Sequence, residues 1–180
     1  MDSANTGISP QAIVVMGVSG CGKSTVAQML AHSLQWQMHE GDAYHAPESI
    51  AKMQSGIPLT DEDRSGWLDR LESLLRTGIP PEGVVLTCSA LKQKYRDHLR
   101  AAREAGQVRF VFLDLSYEDA LQRVQSRPGH FFSPELVANQ FATLERPDSE
   151  PGVITIQATA PLDQIQQQVQ QWMRHTGTAA

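Results

Sequence analysis

The sequence predicts an α/β domain whose parallel sheet is covered by helices on both faces, and three observations predict it. Short apolar runs rich in β-branched residues recur along the chain, beginning with "AIVVM" at Ala12–Met16. Segments with helical periodicity separate these runs. The glycine-rich stretch "MGVSGCGKST", Met16–Thr25, stands where the first run meets the first helical segment. Sheets of this kind bind ligands at the carboxyl ends of their strands, where that stretch falls.

Taken in order, Ala12–Met16 reads as a buried strand, and a helix follows from Lys23 to about Gln35 with Val26, Met29, Leu30 and Leu34 on one face. "WQMHEGD" is a weaker strand ending at Gly41. Thr60 with Asp63 resembles a capping box that opens a helix ending near Gly78. "VVLTCS" (Val84–Ser89), "VRFVFLDL" (Val108–Leu115) and "GVITIQA" (Gly152–Ala158) supply three further strands. Tyr117–Arg127 is helical by pattern. Ser133-Pro134 forms an N-cap and first helical position, and that helix stops before Pro147. The final helix, "LDQIQQQVQQWM", carries Leu162, Ile165, Val169 and Trp172 as a core-facing stripe.

At 180 residues the chain is long enough for one self-supporting core. A single domain is expected over residues 11–174, with flexible tails at 1–10 and 175–180. The net charge is -5 and the basic residues are scattered, which argues against a nucleic-acid or membrane-surface binder. The sequence has no apolar run of about eighteen residues, and the first ten lack the basic and apolar regions of a signal peptide. Cys21 and Cys88 make neither a disulfide framework nor a metal-ligand spacing, so two reduced thiols and a cytoplasmic location are expected.

Gly17-Val18-Ser19-Gly20-Cys21-Gly22-Lys23-Ser24 matches G-x-x-x-x-G-K-[ST], the P-loop. Its glycines let successive backbone N–H groups curl inward as an anion nest, and the following helix adds its positive end. Lys23 would reach the β- and γ-phosphates of a nucleotide and the Ser24 hydroxyl would ligate Mg2+, while Thr25 would bond the backbone of the first turn. A P-loop does not say what becomes of the nucleotide, since switch GTPases, motors and small-molecule kinases all carry one. No N-K-x-D guanine-reading segment exists, and the "DRSG" at Asp63–Gly66 follows no strand. The switch reading is weak.

Other residues then matter. Glu40 and Asp42 flank Gly41 at a strand end, where a carboxylate can join the Mg2+ shell or accept a proton from a hydroxyl. "VVLTCS" ends without the acidic residue common after such strands, leaving Asp42 favoured and Asp114 its rival. Arg64 lies in the first turn or so of its helix, where the macrodipole disfavours a cation. Asp61, Glu62 and Asp63 could pair with it locally, or it could grip an anionic substrate. Arg123 and Arg127 lie one turn apart, a repulsive pair unless an anion sits between them. With the "PGHFF" that follows, they suggest a mobile lid near 123–134. His45 and His130 are further candidates for touching a substrate.

Together, "VMGVSGCGKST", "EGDAYH", "IAKMQSGIPLTDEDRSGWL", "CSALKQKYRD", "RPGHFF" and "QFATLERP" resemble the gluconate kinase (gluconokinase) family, in family order from about residue 13 to residue 148. The resemblance implies a P-loop NTPase fold of the shikimate and nucleoside-monophosphate kinase type, three-layered α/β/α with five parallel strands in the order 2-3-1-4-5 and a lid. It implies transfer of the ATP γ-phosphate to the 6-hydroxyl of D-gluconate, with Mg2+, by a homodimer. In that reading Asp42 orients or deprotonates the hydroxyl, and Arg64 binds the substrate with Ser89, Ala90, Lys92 and Gln140 nearby. Arg123 stacks on adenine and Arg127 meets the phosphates. Relatives often carry aspartate where this chain has Glu40, and the extra methylene could move that carboxylate relative to the metal. The nearest alternatives are a kinase for shikimate or a nucleoside monophosphate, and a nucleotide-binding regulator that does not catalyse.

Overall fold

The computed structural model describes residues 12–77, 83–104, 106–126 and 134–176. Five strands, β1 (Ala12–Met16), β2 (Gln37–Glu40), β3 (Val84–Thr87), β4 (Val108–Asp114) and β5 (Val153–Gln157), pair in parallel in the order β2-β3-β1-β4-β5. The helices are α1 (Lys23–Leu34), α2 (Pro47–Gln54), α3 (Asp61–Thr77), α4 (Gln93–Arg100), α5 (Tyr117–Gln125), α6 (Pro134–Thr143) and α7 (Leu162–Thr176), with a 3-10 turn at Gly41–Tyr44. The expected strand order and three layers are therefore present.

Alternation along β1 explains the layering. Ile13 and Val15 point to one face and join Val26, Leu30, Ile165 and Val169 of α1 and α7. Val14 and Met16 point to the other and join Trp67, Leu71 and Leu75 of α3 with Tyr95 and Leu99 of α4. Every β1 residue is buried, as a central strand covered on both sides requires. Each large apolar side chain so buried contributes about 1.5–3 kcal/mol relative to exposure.

The reciprocal capping box of α3 is present: the Thr60 N–H donates to Asp63 Oδ2 at 2.9 Å and the Asp63 N–H to Thr60 Oγ1 at 3.1 Å. A buried ion pair fixes α4 to the approach to β5, with Arg96 donating to Glu150 while its other nitrogens reach the Ala90 and Glu145 carbonyls. Several details differ from the sequence expectations. The strand expected to end at Gly41 ends at Glu40, because Gly41 turns against β3. The strand expected through Ser89 ends at Thr87, and the chain then turns through Ala90 at φ 47. On α7 the buried stripe is Ile165, Val169 and Met173, with Trp172 half-buried and Leu162 exposed at the helix start. Residues 1–11 and 177–180, and most of the expected lid, lie outside the described residues, whereas α7 extends through position 176.

Candidate active site

The P-loop joins β1 to α1. Its first glycine, Gly17, has φ 146, and a Cβ there would come within 2.8 Å of Cys21 Sγ and 2.9 Å of the Leu113 carbonyl oxygen. Only glycine fits that corner. Helix α1 opens at Gly22 with no side-chain cap and no acidic residue in its first turn. Among the described residues, its N-terminal N–H groups therefore have no capping side chain or first-turn carboxylate, the arrangement that suits a phosphate. Lys23 folds over the loop, its Nζ donating to the carbonyls of Gly17 at 3.0 Å and Val18 at 3.1 Å. Ser24 and Thr25 are exposed, whereas Val18, Ser19 and Cys21 are buried and Gly20 is half-buried. Arg123 reaches across from α5 and donates to the Gly20 carbonyl at 3.1 Å, which places a guanidinium beside the loop. Arg127 and His130 lie outside the described residues.

At the end of β2, Gly41 is pressed against β3: a Cβ would lie 2.1 Å from the Thr87 carbonyl oxygen. Its N–H donates to Thr87 Oγ1 at 3.2 Å, and the Thr87 hydroxyl in turn donates to Glu40 Oε2 at 2.6 Å. The Gly41 carbonyl accepts from Trp67 Nε1 at 2.8 Å. This web anchors the turn, turns Glu40 toward Thr87, and leaves the Asp42 carboxylate half-exposed. The rival carboxylate is engaged elsewhere, since Asp114 takes both Arg146 Nη1 at 3.0 Å and Nη2 at 2.8 Å.

Asp42 faces a cleft together with His45, Arg64, Trp67, Ser89 and Gln140, and Met53, Leu59, Leu136 and Asn139 complete much of its wall. The His45 ring stacks on Trp67 with centroids 4.1 Å apart, and its Nε2 lies 3.7 Å from Asp42 Oδ1. Burial lowers the His45 pKa, which favours the neutral ring, while Asp42 opposes the shift. Arg64 donates to the Leu59 carbonyl at 3.1 Å and to the Tyr95 hydroxyl at 3.2 Å. The acidic residues around it turn elsewhere, Asp63 to Lys52 and Asp61 to Lys92 and Lys94. The local ion-pair explanation for Arg64 thus gives way to its place in the cleft. Gln140 Oε1 accepts the Ser19 N–H at 2.7 Å, so α6 touches the P-loop and the cleft at once.

Five expected substrate residues, Asp42, His45, Arg64, Ser89 and Gln140, line one cleft. Lys92 instead pairs with Asp61 at 3.1 Å, and Ala90 is buried with its carbonyl held by Arg96. Trp67, Asn139 and Tyr95 are additions that the sequence reasoning missed. Trp67 sits three residues after Arg64 on the same helix, a spacing that could have flagged it. Tyr95 comes from a separate element and carries no such signal.

Comparison with known proteins follows the same lines. The family model for shikimate kinase matches residues 19–147. The gluconokinase of Gluconobacter oxydans strain 621H is 46% identical over 151 residues, covering 83% of this chain and 84% of that protein. The thermosensitive gluconokinase of Escherichia coli K12 is 38% identical over 166 residues, covering 89% and 86%. The crystal structure of a gluconokinase from Sinorhizobium meliloti 1021 superposes with a TM-score of 0.83 at 41% identity, covering 93% of this chain and 94% of that one.

Proposed function

The chain belongs to the gluconokinase family, and on that premise we propose that it transfers the γ-phosphoryl group of ATP to the 6-hydroxyl of D-gluconate, giving 6-phospho-D-gluconate and ADP. The observation that carries this reading is the joining of Asp42 and Arg64 in one cleft that Gln140 ties to the P-loop. A carboxylate for a hydroxyl and a guanidinium for an acid group in one cleft suit a sugar acid.

Phosphoryl transfer needs alignment and charge neutralisation more than covalent help. The P-loop N–H groups and the α1 N-terminus would cradle the phosphates, and Lys23 would leave the Gly17 and Val18 carbonyls to meet them. Arg123 would cover adenine, and Arg127 would bring a second guanidinium to the transferring group. The exposed Ser24 hydroxyl and the Asp42 carboxylate are hard oxygen donors that fit Mg2+, with Glu40 behind them on Thr87. Bound there, the ion would neutralise charge on the β- and γ-phosphates. Asp42 would align the 6-hydroxyl and take its proton as the oxygen attacks phosphorus. Arg64 would hold the carboxylate of the acid, with His45, Ser89 and Gln140 around the hydroxyls and the Ala90 turn supporting Ser89, and His130 would join them.

We also read the enzyme as a cytoplasmic homodimer. Two free cysteines, both buried, suit a reducing compartment, and among the described residues no helix is long and apolar enough to cross a membrane. The position of transfer is tested by NMR of the product. A phosphorus resonance coupled to C6 of the sugar acid supports the reading, and coupling to another carbon, or phosphate on a different acceptor, contradicts it.

A further inference from the structure

Given that the cleft takes a sugar acid, as proposed above, we propose that Tyr95 is a positioning residue that holds the Arg64 guanidinium in the cleft without neutralising it. Tyr95 is buried on α4, and its hydroxyl accepts a hydrogen bond from Arg64 Nη1 at 3.2 Å. Its ring also lies against the guanidinium, with 5.5 Å from Arg64 Cζ to the ring centroid. The same hydroxyl donates its proton to Asp61 Oδ1, so both of its hydrogen-bonding roles are filled and its direction is fixed.

Charge explains why a phenol stands here. A carboxylate in contact with Arg64 would hold it well but would cancel the charge that an anionic ligand needs. Asp61 is kept one step back, behind the tyrosine, and its carboxylate is already met by Lys92 and Lys94. Among the described residues Arg64 forms no ion pair, and both of its side-chain hydrogen bonds, to Leu59 and Tyr95, use Nη1. The Nη2 and Nε edge, the pair of parallel donors that matches a carboxylate, is left for a ligand. An arginine already fixed in this way loses less rotamer freedom when the ligand binds.

Tyr95→Phe keeps the ring and removes the hydroxyl. With D-gluconate and Mg·ATP, KM for gluconate is expected to rise about tenfold, as for loss of one hydrogen bond to a charged group, while kcat and the KM for ATP stay within about twofold. An unchanged gluconate KM overturns the proposal, and so does an equal rise in the KM for ATP, which would mark a general structural role. A second readout is independent of the acceptor: the Arg64 Nε–H resonance, assigned by its loss in Arg64→Lys, followed by NMR. A sharp signal in the unmodified protein that broadens in Tyr95→Phe supports positioning; equal sharpness in both overturns it. If gluconate proves not to be turned over at all, the functional reading fails while this resonance still decides the role of Tyr95.

Discussion

Gln140 of α6 accepts a 2.7 Å hydrogen bond from the backbone N–H of Ser19, 121 positions earlier in the chain, and the same side chain lines the cleft that holds Asp42 and Arg64. The bond is buried, so its loss leaves an amide N–H of the P-loop without a partner. Gln140→Leu is therefore expected to raise the KM for ATP and the KM for gluconate together, each several-fold, because one side chain serves both sites. Initial-rate kinetics with each substrate varied in turn check this. A rise confined to gluconate would mean that the P-loop holds its shape without α6.

Lys23 and Arg64 should separate chemistry from binding. Lys23→Ala removes the ammonium poised over the loop, and turnover should fall below detection. Arg64→Ala should mainly raise the KM for the sugar acid, since its guanidinium lies in the acceptor cleft. A lowered kcat with KM unchanged would contradict the grip assigned to Arg64.

Gly41 admits no side chain. A Cβ would stand 2.1 Å from the Thr87 carbonyl oxygen, a backbone atom that cannot move aside without opening the β2–β3 pair. Gly41→Ala should lower stability by about 3 kcal/mol or more, read by chemical denaturation. It should also disturb Asp42, which the Trp67 and Thr87 bonds to Gly41 hold in place. A variant of native stability would mean that the turn relaxes freely.

The His45–Trp67 stack makes a pH reporter. Burial pushes the His45 pKa below its ordinary value of 6.5; Asp42 opposes the shift, and Arg64 and Arg70 reinforce it. The unfolded chain therefore takes up this proton more readily than the folded one. The contribution of neutral His45 to stability is complete above pH 6.5 and declines as pH falls below it. Trp67 fluorescence should be quenched in acid with a midpoint below 6.5, as the ring stacked on it becomes charged. The transition should vanish in His45→Gln. A midpoint at or above 6.5 would place His45 in a wetter or more acidic setting than the stack provides.

The strands, the P-loop and the α3 capping box were legible in the sequence because each rests on local chemistry: β-branched runs, glycine spacing, and a threonine three residues before an aspartate; the strand order came only with the resemblance to the gluconate kinase family. Asp42 was legible for a related reason, since it follows a strand end beside a glycine. What was not legible depends on partners distant in sequence. Asp61, Glu62 and Asp63 beside Arg64 left a local ion pair open as the alternative to a substrate grip, whereas in the structure Lys52 of α2 takes Asp63, and Lys92 at the start of α4 and Lys94 on α4 take Asp61. Tyr95 gained its role only when α4 packed beside the start of α3. Leu162 satisfied the helical period but lies in the first turn of α7, beyond the reach of the core.

The most direct measurement is ADP release from Mg·ATP with D-gluconate, run beside shikimate, AMP and no acceptor. Rapid release is expected with gluconate, and background rates with the other three. Silence with gluconate and turnover with shikimate or AMP would keep the P-loop kinase and contradict the assignment of the cleft. Equal release in every arm would contradict acceptor-directed transfer altogether.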